Sequence, residues 1–489
     1  MPRRHIRVTG APDAPLRAAL TALRSRLGVP EGFPAEVLAE AERAAKAPVL
    51  PSYEATGIPF FTVGRPDVGG LDGATHLSRH GGGYRVRYAV ADVAAFVVPG
   101  GALDAETHRR AITLHFPDGE VPLHPAVLGE GAASLLPGQD RPAVLWTIDL
   151  DAEARTRAVD VRRALVRSRA RLDHADVRRQ LDGGTAEEPV ALLKEIGEAR
   201  ERLEVERGGI SLCVPEQEIT ERGDGYDPTY HAPPPAEGWA AQLSLLTGMA
   251  AADLMLAHGT GVLRTLPAAP DDGGPPGRAK SRVGDVARLH RTAHALDIDW
   301  PHHVSYAALV RSLDPHRPDH AAFLQECTTL LRGAGCTVFR DGALPAITTH
   351  AAVAAPYAPC TAPLHRLADR YAAELCLAAA AGQAPPDRVL DALDALPGRM
   401  AEGSRRAGTV EREVVGLVEA ALLQDRVGEV FVGCVVDLDE HRPAAGTVQL
   451  RSPAVTGRIE GDRLPLGERL PVRLTRADPG AAQVLFVPA

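Results

Sequence analysis

A glycine-rich segment, TVGRPDVGGLDGATHL at residues 62–77, combines four glycines and a proline with two aspartates, Asp67 and Asp72. A loop of this composition is typical of a backbone cradle for phosphate or of a plain turn. A phosphate cradle of the P-loop type also needs a Lys-Ser/Thr pair and a following helix, and neither is present. The segment is therefore a turn or the remnant of another kind of site.

A second stretch, RTRAVDVRRALVRSRAR at residues 155–171, has seven arginines and one acid, Asp160. Guanidinium forks match phosphate oxygens, so the run could form a track along a phosphate backbone. The alternative is an ordinary arginine face exposed to solvent. Composition alone leaves both interpretations open.

The chain has 489 residues and a net charge of −9, which argues against indiscriminate binding to polyanions but allows a local basic patch. Six cysteines lie far apart without a Cys-x-x-Cys pair, which favours buried free thiols in a reducing cytoplasm over a zinc site. The N-terminus lacks the apolar run of a signal peptide, so we expect a cytoplasmic protein. The longest apolar stretch, residues 239–263, is interrupted by Asp253 and His258, and predicts a buried helix rather than a membrane span.

The pattern of apolar residues divides the chain into three parts, with boundaries near residues 50 and 426. Helical spacing at residues 16–27 and 33–47 predicts a helical first part, 1–50. The second part, 51–426, begins with short strands up to about residue 171 and continues mainly as helices, which predicts an α/β fold of the α+β type. The third part, 427–489, has about five short strands, typical of an oligonucleotide-binding barrel or of a generic all-β appendage.

Several stretches resemble, in order, the catalytic domain of the ribonuclease II and ribonuclease R family, called the RNB domain. They are YRVRYAVADVAAFVVPGGALDAETHRRAITLHFPDGEVPLHP, LGEGAASLLPGQDRPAVLWTIDLD, SRARLDH, YAPCTAPLHRLADRY and SRRAGTVERE. The resemblance covers roughly residues 55–489. It implies an RNB-like domain at 51–426 and an S1/OB-like barrel at 427–489, with the paired cold-shock domains of the family replaced by the short helical N-terminus.

The resemblance also explains the glycine-rich segment. At this position the family carries four aspartates that hold two magnesium ions, and the matching residues here are Gly64, Gly70, Asp72 and Gly73. Glycine has no side-chain ligand, so we interpret the segment as a metal site that has lost three of its four carboxylates. Asp67 stands out of register with the missing positions. Magnesium is therefore implied as a cofactor, although its binding is in doubt.

A second catalytic element is altered as well. The family places an arginine against the scissile phosphate, and His365 stands at its position, followed by Arg366. Histidine is only partly charged at neutral pH and lacks the bidentate fork. His174 stands where bacterial relatives often use a tyrosine to stack the terminal base, although a plain histidine at a helix start is an equal alternative. Glu411 falls at a family-like position in the late arginine and glutamate block.

The sequence therefore predicts an RNA-binding member of the family with little or no nuclease activity. Family biology implies single-stranded RNA as partner, no membrane, and a possible but unidentified protein partner. The alternative is a weak magnesium-dependent 3'→5' exoribonuclease that releases 5'-mononucleotides. The candidate catalytic residues are Asp72, His365 and Arg366. The candidate RNA-binding residues are His174, Arg162, Arg163, Arg167, Arg169 and Glu411.

Overall fold

The structure is a computed structural model that describes residues 4–9, 15–30, 32–64, 69–222, 225–267 and 279–489. The N-terminal part contains the two predicted helices, α1 (Pro15–Arg26) and α2 (Ala35–Lys46), and a strand that was not predicted, β1 (His5–Thr9). This strand pairs in parallel with residues 216–220, far along the chain. The prediction of a helical segment missed it because five residues carry too little periodicity to reveal a distant partner.

The first half of the RNB-like part forms a closed five-stranded barrel. Its strands are β2 (Phe60–Val63), β3 (Gly73–His80), β4 (Gly83–Ala91), β7 (Asp140–Leu150) and β8 (Thr156–Leu172), in that spatial order. Between β4 and β7 lie α3 (Ala102–Arg110) and the hairpin β5 (Leu114–Phe116) and β6 (Gly119–Val121). Both faces of β4 are buried, with Val86 and Val90 in one core cluster and Ala89 and Ala91 in another.

Helices dominate the rest of this part, as predicted. The helices are α4 (His174–Asp182), α5 (Glu188–Glu206), α6 (Pro235–His258), α7 (Ala279–Ala295), α8 (Tyr306–Ser312), α9 (Pro318–Cys327), α10 (Leu367–Ala380), α11 (Asp387–Leu393) and α12 (Leu396–Leu423). Short strands lie among them: β9 (Glu216–Arg222), β10 (Gly225–His231), β11 (Gly261–Thr265), β12 (Gly335–Phe339), β13 (Thr349–His350) and β14 (Ala355–Pro356).

Helix α6 is the predicted apolar helix. Proline at its first position and Gly259 just after its end, with a φ of 81°, set its limits. In the part of the chain that the structure describes, it is the one helix long and apolar enough to cross a membrane. Its residues Leu243, Leu246 and Met255 are fully buried in the main core, and it packs against α5 and α10. This is the packing expected of a core helix.

The C-terminal strands form a second closed barrel, which confirms the S1/OB-like prediction. Its strands are β15 (Val430–Asp439), β16 (Arg442–Leu450), β17 (Thr456–Glu460), β18 (Arg469–Asp478) and β19 (Gln483–Pro488), in the spatial order β15-β16-β17-β19-β18. Ala420 and Leu423 of α12 share its apolar core. The barrel is therefore packed onto the preceding helix, and the boundaries near residues 50 and 426 stay predictions.

The six cysteines are all free thiols. Five of them are buried or partly buried, as expected, whereas Cys213 is exposed. The prediction of buried thiols was wrong for this one residue, which lies in a connection rather than in a core element.

Candidate functional site

The site lies where the connection between β2 and β3 meets the segment just before α10. Two neighbours hold this connection from the side: the Leu71 N–H donates to Ser134 Oγ at 2.8 Å, and the Leu135 N–H donates to the Leu71 carbonyl at 2.9 Å. The Ala91 N–H donates to the Asp72 carbonyl at 2.8 Å. These bonds fix the backbone of Asp72 at the start of β3.

Both oxygens of the Asp72 carboxylate are engaged by the segment before α10. Oδ1 accepts a hydrogen bond from the Leu364 N–H at 2.8 Å, and Oδ2 lies 3.3 Å from His365 Nε2. Burial raises the pKa of Asp72 to about 6, and the nearby His365 and the Leu364 N–H only partly offset it. The structure thus joins two predicted site residues, Asp72 and His365, in direct contact.

His365 is held from its other side as well. Its carbonyl accepts from the Thr113 N–H at 2.9 Å, and its Nδ1 atom is buried without a hydrogen-bond partner among the described residues. The ring centroid of His115 lies 6.1 Å away, and His115 Nδ1 pairs with Glu120 at 2.8 Å. The imidazole therefore sits between a carboxylate and a second histidine, where a single ring nitrogen cannot reproduce the fork of an arginine.

The three glycine positions differ in the space around them. At Gly64 a Cβ atom would meet nothing closer than 3.8 Å, and at Gly70 it would lie 3.0 Å from the Gly129 carbonyl. At Gly73 it would lie 2.6 Å from Tyr88 Oη. None of the three has a φ in the left-handed region, so space rather than backbone strain distinguishes them.

The described residues do not fit a pair of magnesium ions. Magnesium needs several oxygen ligands in strict octahedral geometry, and Asp72 is the one side chain with a carboxylate at the four matched positions. Asp67 lies outside the described residues. Within the described ranges, no group of three or more His, Cys, Asp or Glu side chains could hold a metal ion.

Arg366 has a structural partner. It is half-buried, and its Nε and Nη2 atoms donate to Asp369 at 3.0 and 2.7 Å. Asp369 is fully buried and also accepts from the Ala362 N–H at 2.7 Å. The Arg366–Asp369 pair stabilises the start of α10. A contact of Arg366 with phosphate stays a prediction.

The predicted arginine track lies on β8 but does not form one continuous face. Successive side chains of a strand point to opposite sides, so Arg162 is on the other side from Arg163 and Arg167, whereas Arg169 lies at a register shift. The pleat thus divides these candidates between two faces of the strand, and RNA binding by the four arginines stays a prediction. Carboxylates also neutralise three of the four: Arg162 pairs with Asp160, Arg163 with Asp92 and Glu374, and Arg167 with Asp140.

The two remaining RNA-binding candidates occupy different places. His174 is the first residue of α4, directly after Asp173, whose side chain caps the helix by accepting from the Asp176 N–H at 2.5 Å. Glu411 on α12 lines a cavity with Arg4 and His115. Since His115 also neighbours His365, Glu411 lies near the site, whereas base stacking by His174 stays a prediction.

Sequence reasoning missed Arg264 on β11. Its side chain makes no hydrogen bond or ion pair with any described residue, and its Nε atom is enclosed. One signal was available, because Arg264 is the one charged residue in the otherwise apolar or small strand GVLRT, whose other four residues are buried. Tyr88, which fills the space beside Gly73, was missed for lack of any local signal.

Two family models match the chain: the RNB domain over residues 53–381, and the RNase II-type exonuclease C-terminal S1 domain over residues 429–489. Ribonuclease R of Acidithiobacillus ferrooxidans is 30% identical over 190 residues, which are 37% of this chain and 43% of that protein. The matched part of the chain thus spans less than half the length of this curated relative.

Two solved structures share the fold. Mycoplasma genitalium RNase R in complex with ribose methylated single-stranded RNA has a TM-score of 0.76 at 16% identity, covering 98% of this chain and 79% of that one. Yeast Ssd1, described as a pseudonuclease, has a TM-score of 0.60 at 12% identity, covering 89% of this chain and 53% of that one.

Proposed function

The chain belongs to the RNB-domain family, as its sequence motifs predicted, and from this we propose that it is an RNA-binding member with little or no nuclease activity. Its ligand is single-stranded RNA, held near the end of the β2–β3 connection. The proposal separates two properties that the family combines, namely binding of the strand and hydrolysis of its phosphodiester bond.

The observation that carries the proposal is the state of Asp72. Metal-assisted hydrolysis uses one cation to activate water and another to stabilise the leaving oxygen, and both cations need anionic ligands. Here the remaining carboxylate is engaged by the Leu364 N–H and by His365. A cation would have to displace His365, and it would find no second carboxylate at positions 64, 70 or 73.

The ion pairs that hold the scaffold and the shared fold support RNA binding. Acidic side chains hold the scaffold: Asp92 pairs with Arg163, Asp104 with Arg370, and Asp369 with Arg366. The fold is shared with an RNase R whose structure contains single-stranded RNA and with a protein described as a pseudonuclease. Neither likeness assigns the activity of this chain, and both agree with a scaffold that binds without cutting.

The test uses the purified full-length protein and a 5'-labelled single-stranded RNA, with magnesium or manganese titrated. We expect saturable binding that weakens with salt, and no release of mononucleotides at rates typical of an enzyme. Cleavage that Asp72→Asn abolishes would instead establish the weak exoribonuclease. Absence of binding at low salt would contradict RNA as the ligand.

A further inference from the structure

The guanidinium of Arg264 is a half-buried cation without a counter-ion among the described residues. The backbone of Arg264 is fixed, because its N–H donates to the Tyr357 carbonyl at 2.8 Å and the residue pairs with Cys336 across β11 and β12. Its Nε atom is enclosed and unbonded, and the side chain forms no hydrogen bond or ion pair with any residue in the described ranges. Burying an unpaired charge is costly, so such a side chain points to a missing partner.

The neighbours of Arg264 belong to the candidate site. Strand β11 packs against α10, which begins directly after Arg366 and carries Asp369 in its first turn. The charges that act on Arg264 are those of Arg366, Asp369 and the ionisable Tyr357 and Cys336. Burial and the like charge of Arg366 lower the pKa of Arg264. Two guanidinium groups therefore share one carboxylate, and Arg366 takes both of its oxygens.

We propose that Arg264 binds a phosphate group of RNA at the candidate site and so supplies positive charge that paired metal ions would otherwise provide. The inference rests on the proposed RNA-binding function and adds a specific phosphate contact to it. A guanidinium fork donates hydrogen bonds to two phosphate oxygens, and the contact would give the cation its counter-ion. The chemistry is that of a phosphate monoester or diester, so free phosphate could compete for the same place.

The experiment compares Arg264→Gln with the wild-type protein in binding to a single-stranded oligoribonucleotide over a salt series. We expect affinity to fall roughly ten-fold, as for the loss of one charge-assisted hydrogen bond, and the salt slope to decrease by about 0.7. Arg264→Lys should retain most of the slope, because the charge remains. Inorganic phosphate should compete with RNA in the wild type at lower concentration than in Arg264→Gln if one phosphate site is involved.

Arg317→Gln is the matched control, because Arg317 is exposed and pairs with Asp319 at 2.6 Å away from the candidate site. It removes the same charge and should leave affinity within two-fold. Arg264→Gln should melt at the same or a higher temperature than the wild type, since it removes an unpaired buried charge. A clear loss of thermal stability would assign Arg264 a structural role and overturn the inference.

The outcomes separate the two proposals. If the wild type binds RNA and Arg264→Gln binds equally well with the same salt slope, the phosphate contact is wrong and the RNA-binding function stands. If the wild type binds no RNA at low salt, the proposed function fails, and the inference that rests on it fails too. Loss of affinity in both Arg264→Gln and Arg317→Gln would show a general charge effect and would also contradict a specific contact.

Discussion

A Cβ atom at Gly73 would lie 2.6 Å from the hydroxyl oxygen of Tyr88, closer than such atoms pack. The tyrosine, on the neighbouring strand β4, thus occupies the space into which any side chain at position 73 would extend. An aspartate introduced there therefore needs an adjustment of Tyr88 as well as the new side chain.

The first prediction concerns this pair. Gly73→Asp should destabilise the protein by about 1–3 kcal/mol, because it overpacks the space held by Tyr88. Adding Tyr88→Phe should recover part of that loss by removing the hydroxyl group. Gly64→Asp is the control and should cost little, since nothing lies within 3.8 Å of its Cβ. Urea unfolding measures all three, and equal costs at positions 64 and 73 would contradict the steric argument.

The second prediction concerns the pH dependence of Asp72. Burial raises its pKa from 3.8 to about 6 in the folded protein, so between these values the folded state binds more protons than the unfolded state. This group therefore contributes stability at low pH that is lost as the pH rises to 6. The stability of Asp72→Asn relative to the wild type should improve over the same interval and then level off.

Unfolding by urea at pH values from 4 to 7.5 measures this difference for Asp72→Asn. Asp182→Asn, which removes an exposed carboxylate on α4, controls for the change in net charge. If the difference in free energy of unfolding between Asp72→Asn and the wild type is the same at every pH, burial does not raise the pKa of Asp72.

The third prediction separates two adjacent arginines. Arg163 pairs with the buried acids Asp92 and Glu374, so Arg163→Ala leaves buried carboxylates with fewer partners and should cost about 3 kcal/mol. Arg162 pairs with the exposed Asp160, and Arg162→Ala should cost less than about 1 kcal/mol. Denaturant midpoints compare the two variants. If both variants lose the same free energy of unfolding, the ion pairs of Arg163 with Asp92 and Glu374 do not stabilise the packing of α10 on the barrel.

The expected loss of stability in Arg163→Ala also affects how RNA binding by the β8 arginines should be tested. A variant that replaces all four candidate arginines of β8 would confuse loss of binding with loss of the fold. Replacing Arg162, Arg167 and Arg169 while keeping Arg163 tests the arginine track without that complication.

The fourth prediction concerns the junction with the C-terminal barrel. Glu419 on α12 accepts from the Thr456 N–H at 3.1 Å and from its hydroxyl at 2.9 Å. Burial raises the pKa of Glu419 to about 7 despite the nearby Arg4, and Glu326 adds like charge. The folded junction therefore favours the protonated acid, and its stability should fall as the pH rises from 4.5 to 7.

Hydrogen exchange of the β17 amides at pH 6 and 8, corrected for intrinsic exchange rates, reports this junction. We expect stronger protection at pH 6 in the wild type and no such difference in Glu419→Gln. If Glu419→Gln shows the same pH dependence of protection as the wild type, another titratable group causes it.

The sequence by itself determined the family, the α+β class and the C-terminal barrel, because ordered motifs and strand-turn periodicity are local patterns. Residue identity also places glycine at positions 64, 70 and 73 and histidine at position 365, and their match to the ligand and arginine positions of the family stays a prediction. Helices α1 and α2 were predicted within a few residues from the spacing of their apolar side chains.

Only the tertiary structure decided which groups meet. Asp72 and Leu364 are 292 residues apart, and Arg163 and Glu374 are 211 residues apart. No local pattern could show that Arg163 and Arg167 are paired with distant acids, that Tyr88 fills the space beside Gly73, or that Arg264 has no partner among the described residues. The charge available to a ligand depends on such long-range pairs, because a buried ion is neutralised or left unpaired by whatever the fold brings within hydrogen-bond distance.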